Sequence, residues 1–249
     1  MNKLKGPASG HLPPVGGGLV LRTLLGLALA VPAFAADKPR YTAAEVFDQM
    51  LKAQEARAWW TAKVTKVEGP IKGGKSTTSE GLFSVKPGGL ARLDIQKPSP
   101  GLILSDGKLL WVELTEVSQV MRYNADKLKE SGNFFLDLPS SIRHYAKASE
   151  RRLFLPGDGF DPAKVCALEL LPLHPSQAGF ERLRVWVDED RWAVLRVQLD
   201  YGGTRSDVRF DDIKIGEQAA VASGAVKDLD PGLFRYKPPK GFEIFDLDL

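Results

Sequence analysis

The chain has 249 residues, 43% of them apolar and 26% charged, enough for one globular domain, or at most two, with a sizeable core. Its 34 basic and 31 acidic side chains give a formal charge of +3, which offers no nucleic-acid footprint. A single cysteine, Cys166, excludes an intramolecular disulfide framework and any multi-cysteine metal site, and its strand setting reads as a buried small apolar residue.

Residues 1–35 read as a secretory signal. Lys3, Lys5 and Arg22 precede an apolar run from Thr23 to Val31, followed by Ala33-Phe34-Ala35, an A-x-A cleavage site. Its n-region is long, with Pro-Pro and Gly-Gly-Gly inside it, so Met1 is open to being an upstream start. An uncleaved membrane anchor is the rival reading, but the apolar run is shorter than the ~20 residues a spanning helix needs. Cleavage after Ala35 would remove three of the 34 basic residues and no acid, leaving 31 against 31. The mature chain, residues 36–249, has no cysteine at its first position to carry acyl chains, so a soluble periplasmic product is expected.

From Tyr41 to about Ala58 the pattern is helical. Thr42 with Glu45 forms a capping box, Tyr41 can staple against Val46, and Val46, Phe47, Met50 and Leu51 share one face. Strands follow. Trp60, Ala62 and Val64 alternate with Thr61, Lys63 and Thr65; Gly81, Phe83 and Val85 share a face, as do Ala91, Leu93 and Ile95 beyond the Pro87-Gly88-Gly89 turn. Leu102-Ile103-Leu104 and Leu109 to Val112 are apolar on both faces and need cover on both. Pro-Gly, Pro-Ser-Pro-Gly and Ser-Asp-Gly cut the stretch Gly81–Tyr123 into at least four strands with no room for a crossover helix, which predicts a meander.

Between Asn124 and Leu155 the strand pattern lapses. Phe134, Phe135, Leu136 and Leu138 lead through Pro139 to Ile142 and a short helical stretch, Ser140 to Tyr145. Two readings stand: a lid on the concave face of the sheet, or a core-packing connection between its halves. Strands resume with Cys166, Leu168 and Leu170, then Leu183, Val185 and Val187, then an unbroken alternation of Ala193, Leu195, Val197, Leu199 and Tyr201. After Gly202-Gly203, Val208 and Phe210 give way to Ile213 and Ile215, a change of parity that predicts a bulge.

The sum is a mainly β chain with helices (α+β): about ten strands in one strongly curved antiparallel sheet, an open, incomplete barrel covered by the N-terminal helix and the mid-chain segment. Catalytic signals are missing. His11, His144 and His174 have no paired-ligand spacing, Ser105 lacks a nucleophile elbow, and Asp188, Glu189 and Asp190 read as a solvated turn tip. This pattern points to a binding protein without cofactor or metal.

Five motifs in order carry a family resemblance: Lys86 before Pro87-Gly88, the turn Ser105-Asp106-Gly107, the strand Leu110-Trp111-Val112, the pair Gln119-Val120, and the tail Phe234-Arg235-Tyr236-Lys237-Pro238-Pro239-Lys240-Gly241. The mature chain resembles the LolA-like periplasmic lipoprotein carriers. The resemblance implies a non-enzymatic, monomeric shuttle that takes acylated lipoproteins from an inner-membrane exporter and passes them to an outer-membrane receptor. A LolA-like binder or sensor of another amphiphile, such as a glycolipid precursor, is the alternative, and a periplasmic hydrolase with an open cleft is a more distant one.

In that family a basic residue before the Pro of the first turn latches a lid over the empty cavity; here the matching position is Lys86, a point charge rather than a bidentate fork. The lid would be Phe134, Phe135, Leu136, Leu138 and Ile142. A solvated turn lysine is the competing reading. The family's Phe and Trp after this turn are replaced by Leu90 and Arg92. Candidate cavity residues are Trp60, Val64, Phe83, Val85, Leu93, Ile95, Leu102, Leu104, Leu110, Val185, Leu195 and Val197; alternation alone leaves open whether they line a hollow or fill a core.

Overall fold

The computed structural model describes residues 41–125, 146–149, 159–161, 163–172 and 180–247. The signal reading, residues 1–35, and the whole proposed lid, Phe134 to Ile142, lie outside the described residues. Helix α1, Ala43–Ala56, opens on the expected capping box: the Glu45 N–H donates to the Thr42 hydroxyl, and the Thr42 N–H donates to the Glu45 carboxylate.

The rest is almost all strand. In chain order these are β1 (Arg57–Pro70), β2 (Thr77–Lys86), β3 (Leu90–Lys97), β4 (Gly101–Asp106), β5 (Leu109–Leu114), β6 (Gln119–Asn124), β7 (Ala146–Ser149), β8 (Val165–Pro172), β9 (Arg182–Asp188), β10 (Ala193–Tyr201), β11 (Thr204–Glu217) and β12 (Glu243–Leu247). They form one unclosed sheet in the order β12-β6-β5-β4-β3-β2-β1-β11-β10-β9-β8-β7. The meander from β1 to β6 is as the turn residues predict.

Three expectations are corrected. The sheet has twelve strands among the described residues, because β7 lies within the stretch whose pattern lapsed and β12 follows the tail. Not every pair is antiparallel: β12 runs parallel to β6, since the tail first travels back along the sheet. Helix is not confined to the start and middle; a one-turn helix, Gln218–Ala222, and a 3₁₀ turn, Pro231–Phe234, precede β12.

Bulges then set which side chains share a face. Between Thr61↔Lys214 and Lys63↔Asp211, β11 carries one residue more than β1, and Asp212 takes φ 51° there, which realises the predicted parity change. A second bulge was invisible to alternation. Val194 pairs with Val187 but Arg196 pairs with Trp186, so Leu195 is the extra residue of β10.

Glycine fixes two close approaches. Gly107, at φ 89°, would place a Cβ 2.6 Å from the Gly88 carbonyl oxygen, so the β2–β3 and β4–β5 turns touch through two glycines. Gly81 would place a Cβ 2.4 Å from the Asp94 carbonyl oxygen, beside the register shift between Glu80↔Lys97 and Gly81↔Ile95.

Candidate functional site: one apolar face of the sheet

Paired residues of neighbouring strands point to the same side, so the register gives the content of each face. One row reads Trp60, Val85, Ala91, Ser105, Leu110, Tyr123 from β1 to β6. The next reads Ala62, Phe83, Leu93, Ile103, Val112, Met121 and ends on Phe245 of β12. Val64 pairs with Phe210 on the β11 side, and Val208, Val197, Val185 and Leu168 carry the face across to β8. The β1 partner of Val208 is Lys66, which pairs with Glu68 towards one end of the face; the other side chains in these rows are uncharged at neutral pH.

The two ends of this face differ. Across β8–β10, α1 seats Val46, Phe47 and Met50 on Cys166, Leu168, Leu170, Leu183, Val185 and Val187, forming a sealed core. The Cys166 thiol is buried there, against the Val187 carbonyl. Across β1–β4 and β11 the cluster consists of sheet residues only, among those described. Its centre is an aromatic triad: Trp60 lies 5.1 Å from Phe83 and 5.7 Å from Phe210, both edge-on, with Phe83 and Phe210 6.0 Å apart. Trp60 and Phe210 stay half-buried, as do Val85, Ile95, Ile103, Val112 and Met121. From β12 to β11 this part of the face crosses eight strands, about 34 Å at a spacing of ~4.8 Å.

Of the expected lining residues, Trp60, Val64, Phe83, Val85, Leu93 and Ile95 sit together in the triad cluster. Leu110 shares their face through its pairing with Ser105 and Tyr123. Val185 and Val197 share the face too, but in the core under α1. Leu102, Leu104 and Leu195 point the other way. Leu102 and Leu104 pack with Trp111 and Val120 beneath Tyr236 and Phe242 of the tail, which supplies the second cover that their strands required. Leu195, turned over by its bulge, packs with Trp186, Val165, Ala167 and Phe160.

Phe210 and Ile103 belong to the face and were not singled out. Phe210 was recoverable from its alternation with Val208, whereas nothing local distinguishes Ile103 from its apolar neighbours.

Lys86 also faces away from the triad, because it follows Val85 on an alternating strand. Its Nζ donates to both carboxylate oxygens of Asp228, at 2.8 and 2.7 Å. Bonding from Lys86 holds the Asp228 carboxyl below its ordinary range. Arg92, two pairs along, donates to Asp94 and to the Leu233 carbonyl. Tyr236 donates to Glu113 at 2.6 Å and packs on Trp111. The tail is thus strapped to the far face by Lys86, Arg92 and Glu113. Leu90 and Arg92 lie on this far face, so their departure from the resemblance leaves the triad untouched.

Chemistry other than apolar contact has little material here. Ser105 is buried on the face, but its hydroxyl accepts from the Gly107 N–H within its own turn. Asp188 organises its turn by accepting from the Asp190 and Arg191 N–H groups and the Arg191 side chain. Among the described residues no group of three or more His, Cys, Asp or Glu could hold a metal, and no helix is long and apolar enough to cross a membrane.

Comparison with known proteins places this geometry. Residues 66–223 match the family model described as outer membrane lipoprotein carrier protein LolA. An outer-membrane lipoprotein carrier protein of Glaesserella parasuis serovar 5 (strain SH0165) is 36% identical over 103 residues, 41% of this chain and 47% of that protein, so the match spans about half of that relative. One of the same description from Dechloromonas aromatica (strain RCB) is 22% identical over 172 residues, 69% of this chain and 74% of that protein. The crystal structure of an uncharacterized conserved protein from Thermus thermophilus superposes with a TM-score of 0.50 at 15% identity, over 82% of this chain and 99% of that one; this likeness concerns the fold.

Proposed function

The chain belongs to the LolA family, and on that premise we propose that it is a soluble periplasmic carrier that shields acyl chains on the apolar face between β12 and β11. Signal cleavage after Ala35 would release it. The observation that carries the reading is a pair of adjoining apolar rows, those of Trp60 and Ala62, about 34 Å wide and without an ionised side chain, with their aromatic centre half-exposed.

Each buried methylene is worth about 0.8 kcal/mol, so exposing a 16-carbon chain to water costs on the order of 12 kcal/mol. A face of this kind lowers that barrier, and release to a more apolar acceptor needs no bond-making. The cargo is an acylated lipoprotein received from an inner-membrane exporter and handed to an outer-membrane receptor. The half-covered face is the donor-to-acceptor compartment, and the sealed core under α1 is its rigid support.

The test is the protein purified from exporting cells, extracted for mass spectrometry and titrated with a fluorescent fatty acyl probe. One saturable site and a co-purified acylated molecule are expected. Absence of both overturns the reading; a co-purified glycolipid in place of lipoprotein acyl chains would establish the alternative amphiphile. Depletion in cells should leave acylated lipoproteins at the inner membrane.

A further inference from the structure

The β1–β2 hairpin ends in Pro70-Ile71-Lys72-Gly73-Gly74-Lys75-Ser76, and from Gly69 to Ser79 the chain has two lysines and no acid. This tip stands out from the sheet. Pairing of β2 with β1 continues to Glu68↔Thr77, whereas pairing of β2 with β3 stops at Glu80↔Lys97, so β2 runs three residues further before its loop begins. The β10–β11 turn, Gly202-Gly203, stands beside it, and the Ile71 N–H donates to the Gly203 carbonyl at 2.9 Å. The two tips make one blunt prong.

Its composition does not follow from turn geometry. Gly73, Gly74, Gly202 and Gly203 all take positive φ, as tight turns require. Ile71 meets no such need, yet it is 39% exposed at the tip, and Val67 on the adjoining strand is equally exposed. Lys72 and Lys75 follow Ile71 around the loop and are exposed, while Arg205 at the base is held by Asp200 at 2.7 Å. An exposed branched side chain beside lysines suits a boundary where apolar tails lie beneath anionic headgroups.

We propose that this prong seats the protein on an anionic membrane surface, with Ile71 and Val67 entering the headgroup boundary and Lys72 and Lys75 meeting lipid phosphates. β1 leads from the prong directly to Val64 and Trp60, so the seated molecule presents the apolar face near the bilayer from which cargo must partition. This use of the prong rests on the carrier reading, but its test needs no cargo.

The exported protein, its N-terminus checked by mass so that no signal segment contributes, is sedimented with vesicles of phosphatidylethanolamine and phosphatidylglycerol and with vesicles of phosphatidylcholine alone. Weak, salt-sensitive retention on the anionic vesicles is expected. K72Q/K75Q should weaken it about 25-fold, at roughly fivefold per lysine, Ile71→Ser should weaken it, and Ile71→Trp should strengthen it, with thermal midpoints unchanged. Equal retention on neutral vesicles, indifference to these variants, or retention only on membranes that contain protein would each overturn the proposal. Failure of acyl-probe binding with intact vesicle retention would refute the carrier reading and leave the prong standing.

Discussion

Lys86 and Asp228 form an ion pair at 2.7 Å on the face of the sheet opposite the Trp60–Phe83–Phe210 triad. The lysine is the better shielded partner, 17% exposed against 45% for the aspartate. Its described role is therefore to hold the C-terminal strap. Lys86→Met should loosen residues 225–247 in hydrogen exchange and cost at most about 1 kcal/mol, as expected for a half-exposed pair. An acyl-probe affinity that fell tenfold or more in this variant would instead place Lys86 in the gating of the face.

Phe210 completes the triad from β11, although its ring is half-buried. Phe210→Ala should weaken acyl-probe binding by about tenfold, because the ligand loses one wall of aromatic contact. Folding stability should fall less than for the buried Phe83→Ala, where about 3 kcal/mol is typical. Comparing titration with chemical denaturation for both variants checks the ordering.

On the outer face of β9–β11, Asp207 accepts from Arg196 and from Gln198. Burial raises its carboxyl pKa, but bonding from Arg196 and Gln198 outweighs it, and the net direction is down. Bonding from Arg205 lowers Asp200 in the same way. Depressed carboxylates stabilise the fold above their unfolded pKa of about 3.9 and lose that contribution as pH falls through their lower folded values. Thermal midpoints should therefore drop steeply below about pH 4. Asp207→Asn should cost about 2 kcal/mol at neutral pH and flatten part of that drop.

Gly81→Ala tests the bulge between β2 and β3. A methyl group there meets the Asp94 carbonyl oxygen, which is backbone and can yield only by shifting the strand. A loss of about 2–3 kcal/mol in denaturant unfolding is expected. A neutral result would show that the β2–β3 register adjusts freely.

Much of the architecture was legible locally. The capping box of α1, the glycine turns at 88 and 107, and the alternation of Trp60, Ala62 and Val64 each depend on residues within a few positions of one another. So does the β11 bulge, because both parities are written in one strand. Leu195 escaped because Ala193, Leu195 and Val197 alternate without fault in sequence while β10 carries one residue too many against β9. Leu102 and Leu104 were assigned to the wrong side for a related reason: a strand apolar on both faces does not say which face meets the tail.

The amino-acid sequence by itself determined the hairpins, their apolar and polar sides, and the family, because turn chemistry and period-two burial act through neighbouring residues. Only the tertiary structure decided which apolar side stays half-open, that the tail covers the other, and that Lys86 reaches Asp228, 142 positions away. Such pairings are set by register and by which surfaces meet when the chain closes, and no local pattern encodes that meeting.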